Sequence, residues 1–306
     1  MYKVTSRWNH QTAVKVEWNL GKRCNYDCGY CPSSIHDNSS PHTDIEILKA
    51  VVDKLMLLGK PIRLSFTGGE PTVHPKFKEL LRYCKHVGVH YISVTTNGTL
   101  PAEYYSTLPV EQLVFSVHFE YDWLRVCNTL MNVASMTSIN VIAQLMAHHD
   151  HMTYVKAAHG ALKANTVPTT VRRIRWTEGD HDLFDDLRYH PDDLTWIKEQ
   201  DATVKENTVI FLKDEPDMPR LKHANDVIKL HLNKFKDWTC YAGIESLMIN
   251  WDGEVHRATC RVGGSLGNIY QGTCLVPSEP IICTRNYCTC SADIPLTKVL
   301  PSSSQL

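Results

Sequence analysis

The stretch VKVEWNLGKRCNYDCGYC, residues 14–31, decides how this chain is read. Its first six residues alternate apolar Val14, Val16 and Trp18 with polar Lys15, Glu17 and Asn19, the period-two pattern of a strand with one buried face. The loop that follows sets Cys24, Cys28 and Cys31 in a C-x3-C-x2-C spacing at the strand's C-terminal end. Three thiolates so close together can cap three corners of one [4Fe-4S] cube and leave the fourth iron without a protein ligand. An open metal position is where a substrate or cofactor binds. Zinc is the alternative for this loop taken alone, because His36 follows Cys31 and completes a Cys3His set.

The same alternation recurs near residues 62–67, 90–96, 112–119, 139–147 and 170–176, separated by helical patterns such as 44–58 and 75–87. Short apolar runs alternating with longer helices predict βα units and a parallel sheet. One face of the strands carries Val14, Val16, Trp18, Ile62, Leu64, Phe66, Ile92, Val94, Leu113, Phe115, Val117 and Phe119. The other carries Lys15, Glu17 and Asn19; Arg63, Ser65 and Thr67; Ser93, Thr95 and Asn97; Ser116, His118 and Glu120; Gln144; and Arg173 and Arg175. A closed eight-strand barrel fills its interior with branched apolar side chains. Six strands with a polar inner face therefore predict an open, partial (β/α)6 TIM barrel of the α/β class around a polar ligand. A half-solvated sheet is the alternative.

Two further turns fall at strand ends, Thr67-Gly68-Gly69-Glu70-Pro71 after the second strand and Thr95-Thr96-Asn97-Gly98 after the third. Paired glycines let the backbone turn sharply and expose its polar groups, and Glu70 can accept from an ammonium group. Ligand sites gather at this edge of α/β sheets. The C-x3-C-x2-C loop, the GGEP turn and the TTNG turn, in this order, resemble the radical S-adenosylmethionine (SAM) superfamily over residues 13–176. That resemblance implies a [4Fe-4S] cluster on Cys24, Cys28 and Cys31, with SAM chelating the open iron. It places Tyr30 near the adenine, Gly68, Gly69 and Glu70 at the methionyl ammonium, and Thr95 and Asn97 toward the ribose. It also implies a flavodoxin- or ferredoxin-type reductant. On the inner face Ser116 is a further cofactor contact, His118 or Glu120 can exchange a substrate proton, and Arg173 and Arg175 can grip a carboxylate or phosphate. A buried His-Glu-Arg network that only supports the sheet is the competing reading of these residues.

Residues 177–237 break the rhythm with an acidic connector, a strand-like run at 204–212 and a helix at 224–235. Cysteines then cluster. Cys240 and Cys260 bracket a hairpin with an Asp252-Gly253 turn, and Cys283, Cys288 and Cys290 follow a Gly267-Asn268-Ile269 segment. The arrangement resembles the SPASM/twitch extensions, which implies an auxiliary [4Fe-4S] cluster in a small β-hairpin/helix domain at 238–295. Which four of the five cysteines ligate is open, and a zinc ribbon could use the same set. Residues 1–12 read as an N-terminal segment and 296–306 as a tail. Cys84 and Cys127 read as buried small hydrophobes. The run His148-His149-Asp150-His151 reads as a solvated loop whose adjacent side chains do not converge.

Lys and Arg number 32 against 33 Asp and Glu, so the global field gives no long-range attraction to nucleic acid or an anionic membrane. No apolar run approaches the roughly 20 residues that cross a bilayer, and a cytoplasmic protein is expected. Eleven cysteines in a chain this large, with no export signal, point to metal rather than to a disulfide scaffold. The expected function is an enzyme acting on a nucleotide, sugar or peptide. The missing leader-binding domain before residue 13 weighs against a ribosomal peptide, and the arginines favour an anionic small molecule. The alternative is a non-catalytic zinc-binding module, which has no use for the GGEP and TTNG turns.

Overall fold

The computed structural model describes residues 3–6, 13–174, 188–200, 208–212 and 220–300. After a short strand β1 (Lys3–Ser6), the chain builds βα units: β2 (Val14–Asn19) with α1 (Ile45–Met56), then β3 (Ile62–Thr67) with α2 (Phe77–His86). Next come β4 (Tyr91–Thr96) with α3 (Ala102–Ser106), β5 (Gln112–Val117) with α4 (Trp123–Met136), β6 (Asn140–Ala147) with α5 (Met152–Ala164), and β7 (Thr169–Arg173). Strands β2 to β7 lie side by side in sequence order, all parallel. The six-unit partial barrel read from the pattern is the fold observed.

The register explains why the pattern was legible. Val16 pairs with Leu64 and Trp18 with Phe66, so the apolar residues of neighbouring strands form rows on one face. Helices cover those rows, and Trp18, Leu64, Phe66, Ile92, Leu113 and Phe115 are fully buried. Helix α1 presents Leu48, Val51, Val52 and Leu55 to them, a helical stripe opened by the N-cap Asp44, whose carboxylate accepts from the Glu46 N–H.

The second half of the chain is less separate than its cysteine spacing suggests. Helix α6 (Pro191–Glu199), strands β8 (Thr208–Leu212) and β9 (Arg220–His223) and helix α7 (Ala224–Lys229) form the described part of the connector. The expected hairpin is present as β11 (Ser246–Ile249) and β12 (Glu254–His256), but β11 pairs in parallel with β2. With β13 (Ser265–Asn268) it extends the barrel sheet to nine strands. A second, antiparallel sheet of six strands runs β14 (Ile281–Ile282), β10 (Thr239–Cys240), β15 (Lys298–Val299), β1, β8 and β9.

Two boundaries shift as a result. The N-terminal segment contributes β1 to this second sheet, and the stretch read as a tail contributes β15, with Leu296, Thr297 and Lys298 almost wholly buried. No helix follows α7 among the described residues, so turns occupy the place expected for the helix of the C-terminal unit. Because Ile249 is fully buried in the same core as Trp18, Ile249→Ala should destabilise the barrel itself, by about 2–5 kcal/mol. Thermal unfolding should show one shifted transition; a separate transition moving alone would contradict the shared sheet.

Candidate active site at the strand ends

The cysteine loop leaves β2 and is fastened at once to the turn after β3. Leu20 N–H donates to the Thr67 carbonyl at 2.9 Å, Gly69 N–H to Gly21 at 2.8 Å, and Glu70 N–H to Arg23 at 2.9 Å. This approach explains the glycine pair. Gly68 has φ of +117°, and a Cβ there would stand 2.6 Å from the Gly21 carbonyl oxygen. A Cβ on Gly69 would collide with the carbonyl oxygens of Lys22 and Arg23.

Glu70 then ties the second turn to the third. Its buried carboxylate accepts from Thr72 N–H at 3.0 Å, Thr72 Oγ1 at 2.6 Å, Thr96 Oγ1 at 2.9 Å and Asn97 N–H at 2.6 Å. Burial pushes its pKa up while these four donors pull it down. Three of these bonds fall on Oε1 and one on Oε2, so Oε2 keeps acceptor capacity beyond them. Asn97 is bonded within the site as well: its Nδ2 donates to Asn25 Oδ1 at 2.7 Å, and its Oδ1 accepts from Thr99 Oγ1 at 3.0 Å. Asn25 Nδ2 in turn donates to Thr99 Oγ1 at 2.8 Å. The three motifs therefore form one interlocked unit around the cysteine loop.

The far side of the loop rests on the end of β5. Tyr26 stacks on Tyr121 at 3.7 Å, and the Tyr121 hydroxyl accepts from Asp27 N–H at 2.5 Å. Tyr30 stacks on His118 and shares a hydrogen bond between its hydroxyl and His118 Nδ1 at 2.6 Å, with the Cys28 sulfur 3.3 Å from the same nitrogen. Burial lowers the His118 pKa to about 4, which keeps the ring neutral and able to accept. Exposed Glu120 accepts from Gly29 N–H at 3.3 Å. Both residues expected to exchange a substrate proton thus buttress the cysteine loop. Ser116 and Thr95 remain on the inner face, where Gln144 Nε2 donates to Ser116 Oγ at 3.5 Å.

Strand β7 requires a further correction. Gln144 of the inner face pairs with Thr170, and Met146 with Arg172, whereas Ala147 pairs with Arg173. Paired residues share a face, so Arg172 points inward and Arg173 belongs to the helix-covered side. The reading assigned parity from the two arginines in isolation; the neighbouring strand sets it. Arg175 lies outside the described residues. The histidine run also departs from expectation. A 3-10 turn at His149–His151 and the stacking of His148 on His149 (4.6 Å) bring ligand atoms of His148, His149 and Asp150 within 4.8 Å of one another. His148 is buried, 5.8 Å from the Tyr30 ring.

The second cysteine group surrounds a small cavity lined by Cys240, Cys260, Cys283 and Cys288. Their backbones come from separate places: Cys240 from β10, Cys283 through its N–H to Trp238, Cys288 through its N–H to Asn233, and Cys260 through its N–H to Asp293 Oδ2. Buried Lys298 adjoins them, its ammonium donating to the carbonyls of Asp293, Ile294 and Leu296. Cys290 is not among the residues lining that cavity; burial and the nearby carboxylates of Asp293 and Glu17 raise its thiol to about 11. Burial likewise pushes Cys28 and Cys260 to about 12 and Cys31 to about 11. Buried thiols of this kind stay protonated until a metal takes them as thiolates.

The sulfur spacing of the two sets does not match a single zinc ion. Zinc–sulfur bonds of about 2.3 Å place thiolates about 3.8 Å apart around one ion. Among the described residues, neither cysteine set has three sulfurs all within 4.8 Å of one another. His36, the proposed fourth zinc ligand, donates Nε2 to the Tyr26 carbonyl at 2.6 Å.

The profile of the Radical SAM superfamily matches residues 18–119, the span that holds all three interlocked turns. Those residues are a radical SAM domain. Curated relatives include the Fe-coproporphyrin III synthase of Methanosarcina barkeri, 37% identical over 86 residues, 28% of this chain and 21% of that protein. An S-adenosylmethionine-dependent nucleotide dehydratase of Selenomonas ruminantium is 25% identical over 162 residues, covering 52% of this chain and 54% of its own length. A dehydratase of the same name from Pseudoalteromonas ulvae is 24% identical over 269 residues, covering 81% and 83%. The first two matches therefore reach less than two thirds of the relatives' lengths. Among solved structures, anSMEcpe with bound AdoMet aligns with a TM-score of 0.56 at 17% identity, over 85% of this chain and 79% of that one, which shows a shared fold. No described helix is long and apolar enough to cross a membrane.

The radical SAM domain depends on Glu70 as its internal tie. Glu70→Ala strands two buried N–H and two hydroxyl donors, and should cost on the order of 3 kcal/mol or more. Urea unfolding would measure it; a loss below about 1 kcal/mol would show that the tie contributes little.

Proposed function

We propose that this chain is a radical SAM enzyme that binds a [4Fe-4S] cluster on Cys24, Cys28 and Cys31, cleaves SAM reductively and abstracts hydrogen from an anionic small molecule. The observation that carries the reading is the interlock of the cysteine loop with the Gly68–Glu70 and Thr96–Thr99 turns, which serves no purpose in a simple zinc knuckle. Bound there, the cluster supplies the one electron that splits SAM into methionine and a 5′-deoxyadenosyl radical, which becomes 5′-deoxyadenosine on taking a substrate hydrogen atom.

The chain's own residues position and enclose. Gly68 and Gly69 bring the β3 turn against the loop, and Glu70 holds that turn so that its free peptide groups can meet the methionyl end of SAM. Tyr30 and His118 pack as a wall beside Cys28 and limit solvent access to that side. Thr95 and Ser116 offer hydroxyls on the inner face for the ribose. We assign an auxiliary [4Fe-4S] cluster to Cys240, Cys260, Cys283 and Cys288, whose side chains line one cavity. Full cysteine ligation leaves no iron open, which suits electron transfer. The buried Lys298 ammonium compensates the negative charge of a thiolate-bound cluster. We place the enzyme in a reducing compartment, the cytoplasm, served by a flavodoxin- or ferredoxin-type donor. The nucleotide dehydratases among its relatives are in line with an anionic substrate.

Anaerobically reconstituted protein should carry about eight irons, falling to about four when Cys24, Cys28 and Cys31 are all replaced by Ala. The triple variant should release no 5′-deoxyadenosine from SAM under dithionite, and retained release would overturn the assignment. Within the second set, Cys288→Ala should lose about four irons while Cys290→Ala keeps about eight. The opposite pattern would exchange the roles of these two cysteines.

A further inference from the structure

A second pocket opens where the C-terminal end of β7 meets α6, α7 and the segment that carries Cys290. Since β2 to β7 are parallel, this is the edge of the sheet at which the cysteine loop also sits.

The charge of its wall is one-sided. Arg172, Arg173 and Lys198 line it, and no Asp or Glu is among its described lining residues. The chain as a whole is nearly neutral, with a formal net charge of −1, so the concentration of cations is local. Neither Arg172 nor Lys198 forms an ion pair with a described carboxylate. Asn225, Thr289 and Ser291 add neutral hydrogen-bonding groups. Arginine forks and a lysine ammonium beside hydroxyls match the oxygens of a phosphate. The rest of the wall is apolar, from Val171, Ile197 and Ile228, a surface that suits a planar ring and offers nothing to a bare polyanion.

We infer that this cavity binds a nucleoside phosphate, the phosphates at Arg172 and Lys198 and the base against Ile197 and Ile228, as the substrate of the radical SAM site. The inference rests on the function proposed above for its chemistry, but its binding can be tested separately. Thr289 follows Cys288 directly and, with Ser291, flanks Cys290, so a ligand seated here touches the segment that carries the last two cysteines.

The test is equilibrium dialysis of the anaerobically reconstituted full chain against the four common ribonucleoside triphosphates, their nucleosides and inorganic triphosphate. At least one nucleoside triphosphate should bind at micromolar concentration, tenfold or more tighter than its nucleoside and than inorganic triphosphate. The double variant Arg172→Gln/Lys198→Gln should weaken it tenfold or more, with iron per chain and melting temperature unchanged. Should that variant fold poorly, Lys198→Gln, at an exposed position, should by itself weaken binding severalfold. The inference is overturned if every triphosphate binds more weakly than millimolar, if the variants bind like the parent, or if inorganic triphosphate binds equally well. Iron content separates these failures from failure of the cluster assignment, which would appear as missing iron whatever the nucleotide does.

Discussion

The buried carboxylate of Glu70 is the constraint on which the strand-end site depends. Four donors from two different turns converge on it, so neither turn can move without leaving a buried polar group unpaired. Each such loss costs on the order of 1–3 kcal/mol, and more when the group is charged. The cysteine loop is hung from this pair of turns by backbone bonds at Gly69 and Glu70 and by the Asn25–Asn97 amide pair. A loop that must hold three sulfurs for a bulky inorganic group is in this way made rigid by residues that never touch that group.

The second cysteine set solves the same problem by different means. Its sulfurs are gathered from strands and turns far apart in sequence, around a small cavity with a buried lysine beside it. Uncompensated thiolates in such surroundings are unfavourable, and burial accordingly keeps the thiols protonated. Lys298 is held by three carbonyls and lies over the ring of Phe235. An ammonium fixed in that position supplies a counter-charge that solvent cannot.

Much of this was legible in the sequence because local pattern and global fold agree. The alternation at Val14–Asn19, repeated in the next strands, gave the sheet, its apolar face and the edge where the turns lie. What was not legible depends on partners distant in sequence. The inward position of Arg172 is set by pairing with Met146, not by any property of β7 alone. The role of Glu70 as a tie needs the knowledge that Thr96 and Asn97 arrive beside it. The convergence of His148, His149 and Asp150 follows from a 3-10 turn that composition does not announce. That Cys240, Cys260, Cys283 and Cys288 line one cavity depends on strands and turns far apart in sequence. The apolar positions Leu247, Ile249 and Val255 gave a hairpin, but not that it would join β2.

The placement of β1 beside β15 has a consequence for how the protein is made. Lys3 pairs with Val299 and Val4 with Lys298, and β15 also pairs with the strand that carries Cys240. Contacts of such sequence separation carry a large loop-closure entropy and form late. During synthesis the βα units can order as they emerge, so the first cysteine loop takes shape while the chain is still growing. The antiparallel sheet around the second set must wait until residue 299 is free. The two cysteine sets are therefore assembled at different times by the topology of the chain, the second being the last to form.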